Sequence, residues 1–86
     1  MYKIEFSHSA SKQLEKIYTI DKKLYSRLIT AIEGLKINPL QGKSLKGRLF
    51  GAYSLRIGDY RVIYMIQKNK PVIYIIDLGH RKEIYR

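Results

Sequence analysis

The sequence predicts an α+β domain of order β-α-α-β-β-β, an N-terminal αα-hairpin packed on a small, twisted, mostly antiparallel sheet. Three observations predict it. Apolar residues recur at helical spacing between residues 10 and 35, the period changes to two after residue 52, and turn signals divide the second half into strands. A chain of 86 residues has room for one domain, 1–86. Such a domain buries only roughly 60–65% of its unfolded surface, so its core is thin. With no cysteine, neither a disulfide nor a thiolate metal site can support that core.

Residues 2–6 read as a short strand, with Tyr2, Ile4 and Phe6 on one face and Lys3 and Glu5 on the other. Ser7 or Ser9 is suited to cap a helix in which Ala10, Leu14 and Ile17 form the apolar stripe. Thr19-Ile20-Asp21 makes a tight connection, and Asp21 is a good N-cap for a second helix. There Leu24, Leu28, Ala31, Ile32 and Leu35 make a continuous stripe, and Asn38-Pro39 is expected to stop it, because the residue before proline is pushed out of helical geometry. Residues 40–51, with three glycines and three basic residues, read as a loop holding one short extended piece.

Beyond the loop, Tyr53, Leu55 and Ile57 alternate with Ser54, Arg56 and Gly58, and Gly58-Asp59 is a two-residue turn whose glycine can take a positive φ. Tyr60, Val62, Tyr64 and Ile66 then alternate with Arg61, Ile63 and Met65. After a turn at residues 67–70, Val72 to Leu78 is an apolar, β-branched run suited to a buried strand that Gly79 ends, leaving His80 to Arg86 as a charged tail. Tyr2, Tyr60 and Tyr64 fall on apolar faces and are expected in the core; His8 is expected on the surface.

Lys and Arg number 17 against 7 acids, a formal net charge of +10. Residues 43–86 carry 10 basic and 3 acidic groups, so the second half holds most of the excess. Self-repulsion of this size suits a polyanionic partner, the alternative being a lysine-rich solvated surface. The N-terminus alternates polar and apolar residues and lacks the apolar run of a signal peptide, and the run Val72 to Ile76 is far below the ~20 residues that span a bilayer. No membrane role is expected, and a cysteine-free chain is compatible with a cytoplasmic setting.

Function enters through the arginines. With a two-residue turn at Gly58-Asp59, Arg56 and Arg61 stand directly across from each other on one sheet face. Like charges so placed destabilise by a few tenths to about 1 kcal/mol, which an anion between them relieves. The alternative is that each pairs with an acid, Asp59 or Asp77 being nearest. Arg81 follows the last strand at once, between His80 and Lys82, and Tyr85 lies one helical turn further on. Arginine offers phosphate a planar pair of donors, and tyrosine can stack on a base or exchange a proton with a ribose hydroxyl. These groups fit RNA cleavage by attack of a 2′-hydroxyl on the adjacent phosphate. That reaction needs in-line positioning, a proton acceptor and positive charge, and calls for no metal or cofactor.

Arg56-Ile57-Gly58-Asp59-Tyr60-Arg61-Val62-Ile63-Tyr64, followed by Leu78-Gly79-His80-Arg81-Lys82-Glu83-Ile84-Tyr85, resembles the RelE/ParE toxin superfamily, and so do the Lys-Ser-Leu-Lys-Gly loop and the helical hairpin before it. The resemblance covers essentially the whole chain and implies the RelE-like microbial RNase fold. It implies the toxin of a type II toxin–antitoxin pair that enters the ribosomal A site, cuts messenger RNA and so inhibits translation. Its partners would be the ribosome with its mRNA and a small acidic RelB-like antitoxin. By this resemblance Arg61 and Arg81 match active-site arginines, Tyr85 matches the C-terminal tyrosine, and Arg56 matches a phosphate-binding position. One departure stands out: the strand lysines of RelE-type members are replaced by Ala52 and Ser54. Lys43, Lys46 or Arg48 would then supply charge from the loop, with His80 and Lys82 as further phosphate contacts. The competing reading is a ParE-like protein that binds DNA gyrase without cutting RNA; a plain nucleic-acid-binding module is a third.

Overall fold

The structure is a computed structural model that describes residues 1–80 and Lys82. Two helices pack on one face of a five-stranded sheet. The elements are β1 (Lys3–Phe6), α1 (His8–Ile20), α2 (Lys22–Gly34), β2 (Lys43–Ser44), β3 (Tyr53–Ile57), β4 (Tyr60–Gln67) and β5 (Val72–His80). The strand order is β1-β5-β4-β3-β2; β1 runs parallel to β5 and the other pairs are antiparallel. The extended piece expected in the loop is β2, which adds a fifth strand. Among the described residues, no helix is long and apolar enough to cross a membrane.

Ser7 starts the first helix and also ties it to the sheet. Its hydroxyl oxygen accepts from the Ala10 N–H at 3.0 Å and donates to the Ile76 carbonyl at 2.6 Å, while its own N–H reaches Ile75. Ile76 is the extra residue of a β-bulge, for Ile63 pairs with Asp77 and Tyr64 with Ile75. Cap and bulge therefore fit each other. The connection between helices is tighter than residues 19–21: α1 runs through Ile20, and Asp21 alone serves both ends. Its N–H closes on Ile17 at 2.8 Å and its carboxylate accepts from the Leu24 N–H at 3.1 Å.

The second helix ends at Gly34, before Asn38-Pro39. Its last turn tightens, with Leu35 and Lys36 bonding back to Ile32 and Glu33, three residues earlier. The Lys36 carbonyl then accepts from Tyr2 N–H, which docks the chain start beside the helix end. Ala10, Leu14 and Ile17 of α1 and Leu28, Ile32 and Leu35 of the second helical segment meet Val62, Tyr64, Ile73, Ile75 and Leu78 of the sheet in one core. Tyr2 and Tyr60 pack at its margin, and His8 is exposed. Gly79 does not end the last strand. The ladder continues through Gly79 to His80, which pair with Arg61 and Tyr60. The partner strand is already extended there, and a glycine leaves both backbone hydrogen-bonding groups available.

Candidate nucleic-acid interface

The hairpin of β3 and β4 turns at Gly58-Asp59. Gly58 has φ +60° and Asp59 does not share the positive φ, the pattern of a type II′ turn. The register follows: Ile57 opposes Tyr60, and Arg56 opposes Arg61. On β4, Tyr60, Val62, Tyr64 and Ile66 join the core under the helices, so Arg61, Ile63 and Met65 look the other way. Two rows cross this face. One is Arg56–Arg61–Gly79; the next, one pleat repeat along, is Lys43–Ser54–Ile63–Asp77, in which Ser54 and Ile63 are buried.

In the first row Arg56 is exposed, and its Nε–H donates to the Gly58 carbonyl at 3.2 Å. Among the described residues it forms no ion pair. Arg61 is half-buried, with its Nε shielded from water. Gly79 contributes no side chain to the row. Asp77 is turned toward the start of α1, where its carboxylate accepts from the Leu78 N–H at 2.9 Å and the Ser9 hydroxyl at 3.3 Å. Arg56 and Arg61 thus stand opposite each other on adjacent strands, about 5 Å apart at the backbone.

Ala52 and Ser54 are 3% and 6% exposed, so a lysine at either position would have to displace packed neighbours. Lys43 stands one strand outward, exposed and level with Ser54. It brings an ammonium group to the same face by a different strand. Lys46 and Arg48 are exposed in the loop before β3, at the opposite end of that strand from Arg56. His80 pairs with Tyr60, and their rings meet edge-on at 5.7 Å, on the face away from the arginine row; its Nδ1 accepts from the Lys82 N–H at 3.3 Å. Lys82 is exposed. Arg81 and Tyr85 lie outside the described residues.

Sequence reasoning treated Tyr64 as core alone, and its hydroxyl does more. The side chain is fully buried, yet the hydroxyl donates to the Pro39 carbonyl at 2.6 Å and accepts from the Gly42 N–H at 3.0 Å. It thereby pins the loop segment that leads into Lys43. Its ring stacks on Tyr53 at 5.5 Å. The available signal was the phenol itself, since a buried tyrosine hydroxyl needs a partner, and the neighbouring loop offers unpaired backbone groups.

Burial raises the Tyr64 pKa above the ordinary 10.0; the Gly42 hydrogen bond works against this and the Tyr53 neighbour with it. A raised acid pKa means the folded state holds its proton longer than the unfolded chain. The resulting stability is complete below pH 10.0 and is lost as pH rises through the folded value. Tyr64→Phe is therefore expected to flatten the loss of stability seen in alkaline denaturant titrations. It should also lower stability near neutrality by about 1–3 kcal/mol, because two backbone groups lose their partner.

The comparisons with known proteins fall on one group. A family described as the ParE toxin of type II toxin-antitoxin system, parDE, matches residues 4–85. Toxin RelG of Mycobacterium tuberculosis is 31% identical over 87 aligned positions, covering 99% of this chain and 97% of RelG. The crystal structure of the toxin-antitoxin complex RelBE2 from the same organism contains a chain that superposes with a TM-score of 0.80 at 29% identity, covering 93% of this chain and 98% of that one. A chain of the archaeal RelE-RelB complex from Pyrococcus horikoshii gives a TM-score of 0.77 at 28% identity, covering 95% and 97%.

Proposed function

Because this chain belongs to the RelE/ParE superfamily of type II toxin–antitoxin toxins, we propose that it is a ribosome-dependent endoribonuclease that cleaves mRNA in the A site. The observation that carries the reading is the Arg56–Arg61 pair facing across two strands, with Lys43 in the adjoining row of the same face.

In the proposed reaction the 2′-hydroxyl of one nucleotide attacks its own 3′-phosphate, and the 5′-oxygen of the next nucleotide leaves. The product ends are a 2′,3′-cyclic phosphate and a 5′-hydroxyl. Arg61 and Arg81 neutralise the charge that gathers on the non-bridging oxygens. Tyr85 positions the reacting ribose or moves its proton. Arg56 and Lys43 hold flanking phosphates, so the charge that RelE-type members carry as strand lysines comes here from β2. The ribosome supplies the in-line geometry, which is why so small a domain needs it. The cognate partner is a RelB-like antitoxin, as in the RelB complexes of the structural relatives. An acidic, partly disordered chain would complement a toxin of net charge +10 and cover its basic face.

The reading that this chain binds DNA gyrase instead draws on the parDE family description and on the missing lysines. A pure binder has no need of two arginines set opposite each other on adjacent strands. The test is cleavage of a defined mRNA with and without programmed ribosomes, wild type beside Arg81→Ala. Ribosome-dependent cuts that vanish in the variant are expected. Intact mRNA with inhibition of gyrase supercoiling would transfer the chain to the gyrase binders.

A further inference from the structure

The loop between β2 and β3 ends in a tip that the core does not use. Phe50 is 83% exposed, and Leu49 beside it is 38% exposed. The tip is built rather than slack. Residues Gly47–Leu49 form a 3-10 turn, Phe50 N–H donates to Gly47 and Ala52 N–H to Leu49, both at 3.0 Å, and Leu45 N–H closes the loop ends on Ala52 at 2.9 Å. Gly47 and Gly51 hold φ +71° and +97°, a region that side chains disfavour. A Cβ at either would meet nothing within 4 Å, so the ring projects from a knob in open space.

Charge surrounds it. Residues 34–58 contain no acid, and Lys46 and Arg48 are exposed on the same loop. An exposed ring interleaved with cations suits a flat partner that needs only one face of the ring. A protein hot spot instead requires a surrounding rim that excludes water. Single-stranded nucleic acid has both features the tip would recognise: bases to stack and phosphates to pair.

We infer that the loop of residues 45–51 is a second RNA contact, in which Phe50 stacks on an unpaired base while Lys46 and Arg48 hold the adjoining phosphates. Three residue steps along β3 separate Tyr53 at the loop's exit from Arg56, about 10 Å. The contact is thus on the same strand of RNA but beyond the phosphate held at the arginine row. The inference rests on the ribonuclease reading and extends it to how the substrate is held.

The chain has no tryptophan, so Phe50→Trp creates a single indole in the full-length protein, whose emission can be excited apart from that of the eight tyrosines. Titration with a short unstructured oligoadenylate is expected to quench it, and polyphosphate, which has no bases, is expected to leave it unchanged. Phe50→Ala should weaken oligoadenylate binding roughly 5- to 100-fold, the loss of one base stack, with an unchanged melting temperature, and Phe50→Tyr should restore it. Equal affinity of wild type and Phe50→Ala overturns the inference. So does a fluorescence response to polyglutamate and none to RNA, which would make the tip a contact for an acidic protein. The two readings fail separately. Undiminished ribosome-dependent cleavage and RNA binding by Phe50→Ala removes the second contact and leaves the ribonuclease. Quenching by RNA in a chain that cuts nothing keeps the contact and removes the ribonuclease.

Discussion

Arg61→Ala is expected to lower single-turnover cleavage of ribosome-bound mRNA roughly 10²–10³-fold, the usual loss when one fixed donor to a developing oxyanion is removed. The expectation follows from how Arg61 is held. It is half-buried on β4, its Nε is shielded from water, and Arg56 stands beside it on the neighbouring strand. In the proposed site, a guanidinium held in this way would meet the phosphate with little side-chain entropy left to lose. Arg61→Lys keeps the charge but not the planar fork, and should recover only a small part of the rate. Arg56→Ala should behave differently. Arg56 is exposed, and removing a phosphate contact of this kind weakens RNA binding and reduces the salt dependence of affinity by about one unit of slope, with a smaller effect on the bound-state rate. A thermal melt of each variant separates loss of chemistry from loss of fold.

Gly42→Ala is expected to be the more damaging change to the molecule itself. The added methyl carbon would sit 2.6 Å from the Tyr64 hydroxyl, 2.9 Å from the ring and 2.9 Å from the Ser54 carbonyl. None of these can retreat cheaply: Tyr64 is fully buried, and the Ser54 carbonyl belongs to the backbone of β3. Overpacking of this kind costs about 1–3 kcal/mol, and in a chain of this size each kcal/mol lowers the melting temperature by roughly 4–8 °C. Lys43 is the next residue, so the variant should also lose RNA affinity. Combining it with Tyr64→Phe relieves only the hydroxyl contact, because the ring and the carbonyl remain. Partial rescue in denaturant titrations of the double variant is the expected result.

The arginine pair was legible in the sequence because a two-residue turn fixes register without any tertiary information. Gly58-Asp59 sets Ile57 against Tyr60, and Arg56 against Arg61 follows by counting. The helices were legible for a similar local reason: Ser7 and Asp21 precede runs at helical spacing, and capping acts over three residues. The short connection at Asp21 was not, since whether Thr19 and Ile20 stay helical depends on packing. The bulge at Ile76 was hidden because its reason, the Ser7 hydroxyl, lies 69 residues away. The continuation of β5 past Gly79 was hidden too, and with it the side of the sheet on which His80 falls. A two-residue strand carries no readable period, so Lys43 could be read as loop charge but not as a neighbour of Ser54. Arg81 and Tyr85 rest on the resemblance of the C-terminal block.

The most direct measurement is the chemistry of the cut ends, read by mass spectrometry on the fragments released from programmed ribosomes. Attack by the 2′-hydroxyl predicts a 2′,3′-cyclic phosphate on the upstream fragment and a 5′-hydroxyl on the downstream one, both missing with Arg61→Ala. A 3′-hydroxyl with a 5′-phosphate, the mark of attack by water from the other side, would contradict it, as would uncut mRNA from folded wild-type protein.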